Sequence, residues 1–213
     1  MKKYLIILLL CLLPLLVMGA VDTWDGQEGV DTWDGQTGVD TSDGQEHANA
    51  GCETIHKNYE TGGDSDTVFG AGMCDCGSAE IILGSGEGAT ICKVAIYIKD
   101  TAGGSNNIRV GFMGDSAGVP DGSYITNGSS DWIAASSVGS DYAWVEFTFS
   151  TNPTLSQSTT YHLVAEASTV DTNYFWRMDN NDSGIDGGYS GASDCSSDWT
   201  NRSGDGFYFR IYK

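Results

Sequence analysis

Beyond Cys52 the chain alternates apolar and polar residues with a period of two, and this alternation constrains its fold more than any other feature. In TICKVAIYIKD, Cys92, Val94, Ile96 and Ile98 share one face, while Lys93, Ala95, Tyr97 and Lys99 share the other. NIRVGFMGD sets Ile108, Val110 and Phe112 against Arg109, Gly111 and Met113. YAWVEFTFS sets Val145, Phe147 and Phe149 against Trp144, Glu146 and Thr148. TTYHLVAEAS places Tyr161, Leu163, Ala165 and Ala167 inward against His162, Val164 and Glu166, and the closing GFYFRIYK sets Phe207, Phe209 and Ile211 against Tyr208, Arg210 and Tyr212. Successive side chains of a strand point to opposite faces, so each run predicts a half-buried strand. Further strands are expected in AEIILGS, DWIAASS and NYFWRMD, and clusters of Gly, Asn, Asp and Ser punctuate the runs as turns. No amphipathic helix pattern is found after the leader. About eight or nine short strands with this turn spacing predict an all-β protein, an antiparallel two-sheet sandwich in which each sheet has one apolar face. An immunoglobulin-like topology is the competitor, and the lack of a Cys–Trp–Cys arrangement across the central strands counts against it.

The N-terminal residues divide the chain further. MKKYLIILLLCLLPLLVMGA puts Lys2 and Lys3 before an apolar run ending in Gly19 and Ala20, which is the pattern of a secretory signal peptide over residues 1–20. The protein is therefore expected to be secreted or displayed at the cell surface, with no membrane insertion after processing. Residues 21–51 carry the nonapeptides VDTWDGQEG and VDTWDGQTG and a decayed copy, VDTSDGQE, in which Ser42 replaces the tryptophan. Each copy has at most one large apolar group and cannot bury enough surface to offset the ordering of its backbone. A disordered acidic arm is expected over 21–51, followed by one sandwich domain over 52–213. Trp24 and Trp33 exceed what a spacer needs and predict weak docking or a contact with a partner.

Charge narrows the partners. The chain holds 29 acidic and 10 basic residues, a net charge of −19 that becomes −21 once Lys2 and Lys3 are removed. Such a field repels phosphate backbones and anionic lipid, so nucleic acid and membrane surfaces are poor partners. Five cysteines follow the leader, namely Cys52, Cys74, Cys76, Cys92 and Cys195. In an oxidising compartment these predict two disulfides and one spare thiol, with the connectivity open. The closely spaced CDC of Cys74 and Cys76 lacks the wider spacing of most zinc sites.

Read together, KVAIYIKDTAGGSNNIRVGFMGDSAGVPDG, YAWVEFTFSTNPTLSQSTTYHLVAEAS and GDGFYFRIYK resemble the choice-of-anchor type extracellular domains over about Ala79 to Tyr212. The resemblance implies a jelly-roll sandwich similar to carbohydrate-binding modules and a location outside the cell. It implies no catalytic motif. Cys74, Cys76, Cys195 and the acidic repeat lie outside the pattern.

Two constellations bear on chemistry. In DNNDSGIDGGYS, Asp179, Asn181, Ser183 and Gly184 match the first, third, fifth and sixth positions of a calcium loop, with Ile185 offering its carbonyl and Asp186 or Asp182 further charge. Ser190 stands at the twelfth position where a bidentate Glu is usual, and an Asx-rich surface turn explains the same residues. Calcium here is expected to be structural. The second constellation is a sugar-binding surface, which needs flat aromatic faces with polar side chains at the rim. Trp144 must point away from the core if Val145, Phe147 and Phe149 face it, and Tyr97, Arg109, Glu146, His162, Glu166 and Arg177 take comparable outward positions, with Trp132 and Trp199 near loops. Packing of Trp144 under another segment is the structural alternative. No acid pair, histidine spacing, nucleophile elbow or phosphate loop points to catalysis.

The reading is therefore a non-enzymatic extracellular jelly-roll module binding carbohydrate or a related surface polymer. The alternative is a structural protein of a surface layer, filament or virion that self-associates through the sandwich.

Overall fold

Alternation becomes strand pairing almost wherever it occurs. The computed structural model describes residues 52–60, 62–63, 65–71, 76–101, 103, 106–169, 171–180, 187–190 and 195–213. The leader, the repeat arm and Cys74 lie outside the described residues. In chain order the strands are β1 (Ile55–Tyr59), β2 (Ser65–Ala71), β3 (Cys76–Ile82), β4 (Ala89–Thr90), β5 (Lys93–Asp100), β6 (Ile108–Asp115), β7 (Pro120–Ser129), β8 (Ala143–Thr148), β9 (Thr154–Leu155), β10 (Thr160–Ala167), β11 (Asp171–Asp179), β12 (Gly187–Ser190), β13 (Trp199–Arg202), β14 (Gly206–Phe207) and β15 (Phe209–Tyr212). Among the described residues there is no α-helix, only a single 3₁₀ turn at Ala135–Ser137.

These strands form two antiparallel sheets, and β4 pairs with β9 as a separate short ribbon. The six-stranded sheet runs β13-β12-β3-β10-β6-β7. In the seven-stranded sheet β5 is central, with β8 along one edge and β15 then β11 along the other. The branch lies at Tyr208, whose N–H donates to the Arg177 carbonyl at 3.0 Å and whose carbonyl accepts from the Tyr97 N–H at 3.3 Å. The indole Nε1–H of Trp176 donates to the same carbonyl at 2.8 Å. Outside this junction β1 pairs with β15, and β2 pairs with β11.

The core between the sheets takes the apolar faces read from the sequence. Val94, Ile96 and Ile98 of β5, Val110 and Phe112 of β6, Phe147 of β8, Leu163 of β10 and Ile211 of β15 are all fully buried. Trp176 and Phe69 fill the space between the layers, with the Trp176 and Phe207 rings 4.8 Å apart. Gly77 on the facing sheet lies against the indole, where an added Cβ would sit in ordinary van der Waals contact 3.4 Å from Trp176. Burial of each such side chain stabilises the fold by about 1.5–3 kcal/mol.

The structure departs from the expected strands at DWIAASS. Only Ile133 pairs, in a lone bridge to Ile108, after which the chain turns at Ala135–Ser137. Small residues at 134–137 give a sheet little to pack.

The six-stranded sheet also departs from the expected single apolar face. Every described side chain of β10 from Tyr161 to Ala167 is buried. On the outer side Val164, Met113, Cys76 and Cys195 form a second apolar cluster, with Tyr124 and Trp199 packed against it. Two covers account for this. Tyr124 of β7 lies over Gly111, where a Cβ would meet its ring at 2.5 Å, and the Cys195–Trp199 segment is tied down by the Cys76–Cys195 disulfide. Ser196 presses on Gly122 of β7, and Asn201 donates to the Gly118 carbonyl at 3.0 Å. The second disulfide joins Cys52 to Cys92.

Candidate functional site

The outward side of the seven-stranded sheet carries the residues with the most chemistry. Alternation that sends Val94, Ile96 and Ile98 inward sends Lys93, Ala95, Tyr97 and Lys99 outward, and the antiparallel register sets Trp144 opposite Tyr97. Glu146 and Arg210 lie opposite Ala95 from its two neighbouring strands. Tyr97 becomes the centre of an aromatic group. Its ring stacks on Tyr142 at 5.5 Å, tilts against Trp144 at 5.1 Å and meets Tyr208 at 6.2 Å. Ala95 is the only small side chain in the β5 outward set, yet it is 1% exposed. The guanidinium of Arg210 lies 3.9 Å from the Trp144 ring centre, and these two large groups flank it.

Cations frame the rings. Lys99 lies over Tyr142 at 4.3 Å and Phe175 at 5.1 Å, Arg177 over Tyr142 at 5.5 Å, and Lys93 over Tyr212 at 4.5 Å. Each partly exposed cation–π contact contributes about 0.5–1 kcal/mol. Four of the ten basic residues of this acidic chain thus gather on one face.

All four are matched by carboxylates. Arg210 holds Glu60 through two parallel bonds, Nε to Oε1 at 2.7 Å and Nη2 to Oε2 at 2.8 Å. The Arg210 hydrogen bond is the main reason that the Glu60 pKa lies below the ordinary carboxylate range, and Asn58 adds to it. Arg177 bonds Asp66 at 3.0 Å and also donates to the Gly63 carbonyl, while Lys99 reaches Asp66 at 3.7 Å. Burial opposes ionisation of Asp66, but Tyr142, Arg177 and Lys99 outweigh it and hold the pKa down. Burial and the Asp66 charge together raise the Tyr142 pKa. The buried Tyr142 hydroxyl lies beside Asp66 without completing a hydrogen bond of ordinary geometry. Lys93 bonds Glu146 at 2.9 Å, which raises the lysine pKa. The face is therefore aromatic, rich in planar hydrogen-bonding groups and close to electrically neutral.

Of the residues expected to bind ligand, Tyr97, Trp144, Glu146 and Arg177 share this face. Arg109 and His162 do not, because β6 and β10 belong to the other sheet. His162 is 2% exposed, with Nε2 2.9 Å from Asp115 Oδ1. Arg109 pairs with Glu166 at 2.8 Å between the rings of Tyr124 at 5.0 Å and Trp132 at 4.4 Å. Glu166 also accepts from the Tyr124 hydroxyl, and burial first, then that carboxylate, raises the Tyr124 pKa. These groups, centred on the buried Glu166, pin the cover over the six-stranded sheet. Trp132 is 39% exposed, and Trp199 is half-buried with its indole donating to the Cys195 carbonyl at 3.1 Å.

Asp179, the first expected calcium ligand, ends β11 and is 9% exposed, with the Tyr59 hydroxyl donating to Oδ2 at 3.4 Å. Asn181, Ser183, Ile185 and Asp186 lie outside the described residues. Among the described residues no three His, Cys, Asp or Glu side chains are grouped to hold a metal ion. Arg210, Tyr142, Glu60 and Asp66 were not among the candidate ligand residues. The outward phase of Arg210 was legible in GFYFRIYK, but its reach onto Trp144 depends on the pairing of β15 with β5.

Fold and site define a class, an all-β, disulfide-bonded, two-sheet sandwich with an aromatic outer face of matched charges. No protein-family model and no curated protein matches the chain.

Proposed function

We propose that this chain is a secreted, non-enzymatic module of the jelly-roll type that binds carbohydrate or a related surface polymer on the outer face of its seven-stranded sheet. The observation that carries the reading is the row Tyr142, Tyr97 and Trp144, with ring centres 5.5 and 5.1 Å apart and paired arginines and carboxylates beside them. Aromatic rings meet the C–H patches of a sugar, and planar polar groups meet its hydroxyls. The matched charges disfavour a polyanion. The jelly-roll reading draws support from the chain's repeated passage between sheets, from β3 to β5 to β6 and from β7 through β8 and β10 to β11. It also agrees with the resemblance to choice-of-anchor domains. Secretion is supported by the leader pattern and is compatible with two disulfides, and no helix among the described residues is long and apolar enough to cross a membrane.

Structural calcium belongs to this reading through Asp179. Chelation with EDTA should lower the melting temperature, and Asp179→Ala should remove that sensitivity. An unchanged melting curve on chelation would reduce the segment to a turn.

Binding to a glycan array tests the main reading, with loss of signal expected in Trp144→Ala and retention in an exposed control such as Ser136→Ala. The second reading, self-association through the sandwich, has Ile55 in its favour, an exposed apolar residue that opens the edge strand β1. Absence of glycan binding together with concentration-dependent assembly would select it.

A further inference from the structure

We infer that the preferred ligand is a linear oligosaccharide bearing amino groups, and that its charged end occupies a cleft beside the Cys52–Cys92 disulfide. This deepens the carbohydrate reading and rests on it. The cleft has a volume of about 380 Å³ and is lined by Glu53, Lys93, Glu146, Thr148, Phe149 and Asn152, with the disulfide in its wall. One of its lining residues, Glu146, follows Trp144 by two positions on β8. Tyr142, Trp144, Glu146 and Thr148 occupy alternate positions on and beside β8, so one line runs from the stacked rings into the cleft. Six residues of strand cover about 20 Å, the length of a short oligosaccharide.

Charge selects the ligand. Glu60 and Asp66, elsewhere on the face, are half-buried and engaged by arginine. Glu146 differs, since its side chain is 54% exposed and Lys93 engages it through Oε1. An ionised carboxylate has acceptor capacity for further donors. Glu53 is also exposed and lines the same cleft, so two carboxylates face one lysine there. An ammonium group on a sugar ring is attracted to this end, whereas uronate or sulfate groups meet both local carboxylates and a chain of net charge −19.

Calorimetry on the full, oxidised chain tests this with β-1,4-linked glucosamine oligomers, dimers through hexamers, against their N-acetylated counterparts and glucose oligomers of equal length. At low ionic strength and a pH that protonates the amines, the glucosamine tetramer should bind about fivefold more tightly than the neutral tetramers, the scale of a solvent-exposed ion pair. Screening salt should close the gap. Glu53→Gln, which lies off the aromatic row, should reduce the preference while keeping the neutral affinity and the melting temperature, and the double variant Glu53→Gln/Glu146→Gln should abolish the preference. Trp144→Ala should weaken all three series alike. Equal affinities for amine-bearing and neutral oligomers, or a preference that survives the double variant, would overturn the cleft assignment and leave the aromatic face standing. Failure of every oligomer to bind would overturn both.

Discussion

The guanidinium of Arg210 sits 3.9 Å from the ring centre of Trp144 and at the same time grips Glu60 with two bonds, so one side chain couples β15 to β8 and to the chain just beyond β1. Ala95 beneath it has no bulk to keep the two apart. Arg210→Ala should cost about 1–2 kcal/mol by removing a stack and a two-bond pair together. Arg210→Lys should restore less than half of that, because an ammonium lacks the planar fork. Urea unfolding curves measure both, and equal stability of the lysine variant and the wild type would show that charge alone matters.

Acid should weaken the fold through Glu60 and Asp66. Both carboxylates are more acidic in the folded protein than in the unfolded chain. Their contribution is complete above the ordinary carboxylate pKa of about 4 and is lost as pH falls through the lower folded values. Asp205 runs the other way, since burial raises its pKa against the pull of Arg202. Its penalty grows as pH rises through that raised value. Melting temperature measured against pH should show a flatter acid limb in Glu60→Gln/Asp66→Asn. Asp205→Asn should melt higher than wild type at neutral pH, and a lower value there would contradict the assigned sign.

The two disulfides are expected to differ. Cys76 and Cys195 are 119 residues apart, and Cys52 and Cys92 are 40 apart. Loop-closure entropy alone assigns about 5 and about 4 kcal/mol to these lengths. Measured losses of native disulfides run to about 2–5 kcal/mol, and because Cys76→Ser/Cys195→Ser also frees the segment covering Val164 and Met113 it should fall near the top of that range, about 5 kcal/mol, and raise hydrogen exchange across β10. Exchange unchanged in β10 would mean that the cover stays closed without its covalent tie.

Two glycines give a sharper steric test. A Cβ on Gly111 would lie 2.5 Å from the Tyr124 ring and 2.6 Å from the Gly128 carbonyl oxygen, whereas one on Gly77 would lie 3.4 Å from Trp176. Gly111→Ala should therefore cost about 1–3 kcal/mol and Gly77→Ala less. Denaturant midpoints give the order directly, and the reverse order would refute the close packing of β7 on β6.

Much of this architecture was legible because alternation is a local signal. The inward and outward sets of β5, β6, β8, β10 and β15 follow from their own residues. What alternation does not encode is which outward face another segment covers. His162 and Trp144 occupy equivalent outward phases, yet His162 is buried beside Asp115 on the covered sheet, while Trp144 stays half-exposed. That difference arises from contacts between residues far apart in the chain, Tyr124 with Glu166 and Cys76 with Cys195. β7 itself was missed because PDGSYITNGS has turn-type composition and no clean apolar face, and it pairs with β6 through register shifts. The disulfide pairing was likewise fixed by the sheets, which bring Cys76 and Cys195 to one face and Cys52 beside Cys92.

The central claim is that ligand lies on the outer face of the seven-stranded sheet, and the indole N–H resonances of the full chain report on it directly. Titration of isotopically labelled protein with the glucosamine and glucose oligomers, with the Trp144 signal assigned through Trp144→Phe, should shift the Trp144 resonance in a saturable way and leave those of Trp132 and Trp199 in place. A saturable shift at Trp132 or Trp199 with Trp144 unmoved, or no shift at all, would contradict it.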